Sequence, residues 1–243
     1  MQPDAGARVL SGPPPPPVRP LALALCAAVL TGCADTDPAP PPGSPEALRL
    51  LEAVDASAVA DAFAALDALA YRADLVVTTL DADRQPVARE TATRTHDAGD
   101  ARDAATPALH DVVASALSDD PPYVDPVARG AYRLAVVGDT TIGDVAFRLV
   151  EAVLTDPEAE LSVARVWAAV ADGGRVGAVE VERRATSAIY TEASRVRVDL
   201  APHAGGWIPR HIVTDTWTDV PLSAPTHVLT EWTVRPAATA SGA

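Results

Sequence analysis

The chain has 243 residues, 48% of them hydrophobic and only 4% aromatic, and a formal charge of −14 at pH 7. All 19 basic residues are arginine and Asp outnumbers Glu by 23 to 10, so no basic footprint exists for nucleic acid or anionic headgroups, and partners of that kind are excluded. A GC-rich genome or adaptation to salt accounts for such a composition equally well, and neither names an activity.

The first element in the chain is a short apolar run, Leu21 to Leu30. It is about half the length needed to span a bilayer and reads as the core of a signal peptide. It closes on Leu30-Thr31-Gly32-Cys33. Small residues before the cysteine suit a peptidase cleft that admits little bulk, and a thiol at a new N-terminus is the nucleophile that diacylglycerol transfer needs. The segment resembles the processing signal of bacterial lipoproteins. That resemblance implies removal of residues 1–32 as a signal peptide, lipidation of Cys33, and a membrane held only through that lipid. The block Pro13 to Pro17 upstream is foreign to a secretory leader, and initiation at Val18 leaves Arg19 as the leading charge. A peptide recovered from within Met1 to Pro17 would refute that start.

Residues 33–44 are rich in proline and cannot build a core, so they form a tether with a reach of roughly 3 Å per residue. In enterobacterial lipoproteins an Asp directly after the lipidated cysteine favours the inner membrane. Ala34 stands there instead, which by the same resemblance favours the outer membrane, facing the periplasm.

Residues 45–235 are expected to form a single α+β domain. Cys26 falls in the removed leader and Cys33 carries lipid, so neither a disulfide nor a cysteine metal site is expected. Ser44-Pro45-Glu46 supplies an N-cap, a proline at the first helical position and an early acid. Leu48, Leu51, Val59, Phe63, Leu66 and Leu69 continue at helical spacing, predicting one long helix to about Ala70, with Asp55 the one polar residue in its stripe. Strands follow at Tyr71 to Leu80 and Pro86 to His96, around an Asp81 to Arg84 turn, and then a shorter helix from Thr106 to Leu117 that Asp119-Asp120-Pro121-Pro122 ends. Further strands are predicted at Ala131 to Val137 and Ile142 to Leu154, around a Gly138 to Thr141 turn. Five more are predicted at Glu160 to Val170, Arg175 to Arg184, Ile189 to Ala201, Gly206 to Asp219 and Thr226 to Val234. Pro209 places a bulge or an edge near the start of its strand. The expected fold is a strongly curved antiparallel sheet of about nine strands, an unclosed barrel, with the long N-terminal helix and the shorter helix packed on it. Residues 236–243 form a disordered tail.

The strand series Val163-Ala164-Arg165-Val166-Trp167, Gly173-Gly174-Arg175-Val176, Val179-Glu180-Val181, Arg195-Val196-Arg197-Val198-Asp199-Leu200 and Gly205-Gly206-Trp207-Ile208-Pro209-Arg210 resembles the late strands of the LolA and LolB lipoprotein-carrier group. The likeness covers the last third of the chain. It implies a concave apolar interior that holds an acyl chain, and no catalysis. Aromatic residues are few, so Leu, Val and Ala would line much of that interior, with Trp167, Trp207, Trp217 and Trp232 as candidate ligand-binding residues; on a sheet, such residues also serve simply as core.

Candidate chemistry is sparse. His211 and Asp215 lie four apart on one strand, about 13 Å at strand rise, too far to share a metal. His96, His110 and His203 fall at strand ends, helices or turns, where solvated or capping roles suffice. The pairs Asp119-Asp120 and Asp215 with Asp219 lack the spaced loop and glycine turn of a calcium site. No hydrolase, phosphate-loop or dinucleotide motif occurs, so no enzyme, cofactor or metal is expected. Two readings stand: a lipid-anchored binder of an apolar ligand, or an envelope protein whose solid core and surface serve a protein partner. A dry, continuous cavity under the helices separates them.

Overall fold

The computed structural model describes residues 44–54, 57–98, 128–155, 162–187, 189–221 and 223–237. All of them fall in one compact unit, Pro40–Ala243. Nine antiparallel strands make one sheet: β1 Tyr71–Leu80, β2 Pro86–His96, β3 Tyr132–Ile142, β4 Val145–Leu154, β5 Val163–Val170, β6 Val176–Thr186, β7 Thr191–His203, β8 Gly206–Asp219 and β9 Thr226–Pro236. Their order across the sheet is β2-β1-β9-β8-β7-β6-β5-β4-β3, so among the described residues β2 and β3 are the edges and the sheet is unclosed. Neighbours in sequence pair as hairpins or meanders. The exception is β2 and β3, which lie at opposite edges; β9, beside β8, also pairs with β1, Ala73 opposite Val234.

Period-two alternation sorts the side chains onto two faces. On one face Leu134 meets Ala152, Val166 meets Val181, Val181 meets Val196, Val198 meets Ile212, and Ile212 meets Trp232. Each fully buried Val, Leu or Ile here is worth about 1.5–3 kcal/mol of transfer from water. Tyr132 sits on the same face and donates its hydroxyl to the Val163 carbonyl at 2.7 Å, which satisfies a buried polar group. Burial raises its phenol above the ordinary value of 10.0.

The single long N-terminal helix expected from the sequence is two short ones, α1 Pro45–Glu52 and α2 Ala58–Asp67. The molecule is therefore dominated by its sheet. Ser44 caps α1, accepting from the Ala47 N–H at 3.2 Å, with Pro45 and Glu46 in the first turn. The helix then stops at Ala53, whose N–H closes on the Arg49 carbonyl, while Val54 closes back on Leu51. Two causes combine to divide it. α1 buries Ala47, Leu50 and Leu51 among β3, β4 and β5 residues, whereas α2 buries Ala62, Phe63 and Leu66 against β7, β8 and β9. One straight rod of about 40 Å does not follow a twisted sheet to both places. The Gly173-Gly174 turn between β5 and β6 also blocks the way, since a β-carbon on Gly174 would lie 1.8 Å from the Ala53 carbonyl oxygen. The shorter helix expected at Thr106 to Leu117 lies outside the described residues, as does Asp55.

β3 runs on through the expected Gly138 to Thr141 turn. Its register shifts between Val136 and Gly138, and the chain reverses at Gly143, whose φ is 60°. The β-branched run Thr140-Thr141-Ile142 stays extended, and the turn falls to the next residue that tolerates a left-handed backbone. Pro209 sits opposite Leu200 at a register shift, inside the sheet rather than at its edge.

Candidate functional site

The face of the sheet opposite the helices is polar apart from a buried apolar patch of Phe147, Ala169 and Ala178 toward one side, and its charges form a chain across five strands. Glu151 of β4 binds Arg165 of β5 at 2.6 Å, and Arg165 reaches Glu182 of β6 at 3.6 Å. Glu182 binds Arg195 of β7 at 2.7 Å, and Glu180 lies 3.6 Å from Arg195 and 3.8 Å from Arg197. Arg197 turns to Asp199 at 2.9 Å, and Asp199 meets His211 of β8 at 3.3 Å. Burial works against the charge of Arg165, but Glu151 outweighs it and holds the guanidinium above its ordinary value. Burial likewise pushes the Asp199 carboxyl up, yet the hydrogen bond to His211 and the charge of Arg197 bring it below 3.8. The bond to Asp199 raises His211 above 6.5 against the opposing effect of burial. Each exposed pair is worth about 0.2–1 kcal/mol. Their larger effect is on register, because a one-residue slip would carry every charge to the apolar face.

Beside this chain lies an open cavity of about 420 Å³, lined in part by Arg84, Arg184, Arg195, Asp215, Trp217 and His227. Asp215 is gripped from two sides, by Arg84 at 3.0 Å and by His227 at 2.5 Å. His227 is 6% exposed. Arg84 belongs to the β1–β2 turn, where Asp81 accepts from the N–H groups of Asp83 and Gln85. Its φ of 61° is a strained value for a residue with a side chain. One carboxylate of β8 thus ties the β1–β2 turn to β9.

The four tryptophans do not share a surface. Trp167 lies on the polar face with the Arg197 guanidinium 5.1 Å over its ring, and Trp217 lines the cavity there. Trp207 packs edge-on against Phe147 with ring centroids 5.7 Å apart, and the Arg175 guanidinium lies 5.9 Å from it. Trp232 is on the helix-covered face beside Leu75. Of the histidines, His96 stacks on Tyr71 at 4.9 Å and faces the Asp67 carbonyl; His203 ends β7, and His110 lies outside the described residues. His211 and Asp215, set aside as too far apart along their strand, each find a partner on a neighbouring strand instead. The sequence signal for this was the repeat of alternating charge, Glu180-Val181-Glu182 before Arg195-Val196-Arg197, whose signs complement across a hairpin. Cys33 lies outside the described residues. Among the described residues no three His, Cys, Asp or Glu side chains converge as metal ligands, and no helix is long and apolar enough to cross a membrane.

Under α1 and α2 the apolar face is filled: Val150, Val170, Val198 and Val234 are 0% exposed. Beyond α2 it continues along β1 and β9 as a half-buried strip of Leu75, Val77, Val228 and Trp232, with Leu75 directly opposite Trp232.

The chain matches no known protein-family profile and no curated protein. Among solved structures it is similar to a LolA superfamily protein from Nitrosomonas europaea, at 10% identity and a TM-score of 0.28, over 79% of this chain and 94% of that one. A domain described as an outer membrane lipoprotein-sorting protein, from Vibrio parahaemolyticus, is 11% identical with a TM-score of 0.26, over 81% and 94%. MucB of Pseudomonas aeruginosa, in its complex with MucA, is 10% identical with a TM-score of 0.23, over 80% and 100%.

Proposed function

We propose that this chain is an envelope lipoprotein, anchored by lipid on Cys33 at the outer membrane and facing the periplasm, which binds an apolar ligand and does not catalyse a reaction. The observation that carries the reading is the strip of Leu75, Val77, Val228 and Trp232, apolar surface on the helix side that the two helices leave half-exposed. A ligand such as an acyl chain that covers roughly 200 Å² of apolar surface there gains about 5 kcal/mol before the cost of its own ordering. A non-catalytic role accords with the carboxylates of the polar face, since Glu151, Glu182, Asp199 and Asp215 are each committed to an arginine or histidine.

A fluorescent fatty acid titrated into the chain carrying Cys33→Ser tests this. Saturable binding is expected, weakened about tenfold by Val77→Asp, which sets a carboxylate in the strip. Without saturable binding the reading falls to the alternative, an envelope protein with a solid core that serves a protein partner. That alternative is favoured by the filled clusters beneath α1 and α2. The anchor has its own test, since radiolabelled palmitate should appear on the wild-type protein and vanish with Cys33→Ser.

A further inference from the structure

We propose that two copies of this chain join through β2, edge to edge, in an antiparallel register centred on Ala92. β2 is an 11-residue strand at the end of the sheet, and residues 86–95 are exposed throughout. Among the described residues it pairs only with β1, so its other side presents a row of backbone donors and acceptors. Of the devices that usually blunt such an edge, proline stands only at its first position and the register shift falls at that same end, where Leu80 meets Pro86; its middle carries charge, but of both signs, in Arg89, Glu90 and Arg94. The other edge is defended, because β3 carries a bulge between Val136 and Gly138.

The side chains select both the partner and the register. Glu90 and Arg94 are exposed and share one face of β2, where their neighbours on β1 are the uncharged Val77 and Ala73. They lie four residues apart, about 13 Å along the strand, too far to pair with each other. A second copy related by a two-fold axis perpendicular to the sheet keeps each face on the same side, so only residues of like parity meet. With the axis at Ala92, Glu90 of each copy faces Arg94 of the other, giving two ion pairs; Thr91 faces Thr93 and Ala88 faces His96. An axis at Glu90 sets the two carboxylates against each other. An axis at Thr91 sets Glu90 against Ala92, and one at Thr93 sets Arg94 against Ala92. Ala92 is the centre at which the strand complements itself, which identifies a second copy of this chain as the occupant.

The test is disulfide capture in membranes from cells expressing the full chain. Directly opposed strand residues have Cα atoms about 4.5–5.5 Å apart, within disulfide reach. With copper phenanthroline, Ala92→Cys should give a linked dimer on a non-reducing gel, whereas Ala88→Cys, whose counterpart in the second copy lies about 27 Å away, should stay at background. Adding Glu90→Arg to Ala92→Cys turns both ion pairs into repulsions and should lower dimer yield at limiting protein about tenfold; adding Arg94→Glu as well should restore it to within about twofold. The proposal is overturned if Ala92→Cys links no better than Ala88→Cys, if the charge reversal has no effect, or if its compensation does not rescue. The chain without added cysteine reports on Cys33: linkage there would mean an unlipidated thiol, a failure of the anchor that leaves the comparison between positions 92 and 88 intact.

Discussion

His211 and Asp199 face each other from β8 and β7 at 3.3 Å, and the pair stabilises the fold in a defined range of pH. His211 titrates above 6.5 when folded, so its contribution is complete below 6.5 and is lost as pH rises through that higher value. Asp199 titrates below 3.8 when folded, so its contribution is complete above 3.8 and is lost as pH falls through the lower value. The pair therefore acts most strongly between 3.8 and 6.5. Replacing the imidazole by His211→Asn should cost most near pH 5.5 and almost nothing by pH 9, as read from urea unfolding midpoints at both. Both groups are partly exposed, which keeps the difference at no more than about 1 kcal/mol. Strand spacing relates His211 to Asp215 on its own strand and says nothing of Asp199. Finding Asp199 required the register of β7 against β8, and the register shift opposite Pro209 alters that count by a residue.

At the scale of elements, the break between α1 and α2 depends on the Gly173-Gly174 turn. Both glycines have left-handed backbones, with φ of 86° and 82°, but a β-carbon at Gly173 meets nothing within 4 Å, while one at Gly174 meets the Ala53 carbonyl at 1.8 Å. Gly173→Ala should cost about 1–2 kcal/mol for its backbone alone. Gly174→Ala carries the same strain and must also push the end of α1 off the turn, so thermal unfolding should place it clearly below Gly173→Ala. The strands were legible because alternation of Val, Leu and Ile with polar residues survives in any register; β1, β2 and β8 begin and end where that pattern does. The helices were less legible. Apolar spacing says which face is buried but not against which strands, and the division at residues 53–57 follows from where α1 and α2 must dock. The β6–β7 charge pairs were legible in sign but not in alignment, since Glu182 opposite Arg195 demands a turn centred beyond Thr186, two residues later than the strand ends read from sequence.

For the whole molecule, the decisive contact is the one between β1 and β9. Pairing Ala73 with Val234 closes a loop of nearly the entire folded chain, while the other hairpins close short ones. Folding dominated by such a pairing is expected in the millisecond-to-second range. Val234→Ala should destabilise mainly through a faster unfolding rate if the β1–β9 seam forms last, which stopped-flow refolding and unfolding arms would resolve. The seam was not visible in the alternation pattern, because that pattern gives each strand a face and no neighbour. The tryptophan positions show the same limit: four residues on three strands, β5, β8 and β9, do not share a surface.

β9 is made last of the nine strands yet belongs between β8, made just before it, and β1, made first. While the ribosome is still producing residues 226–236, the β1–β2 hairpin has no neighbour on one flank and β8 has none on the other. A nascent chain thus holds two open borders until synthesis is almost complete, and it is in that interval that a holdase would find the most to grip.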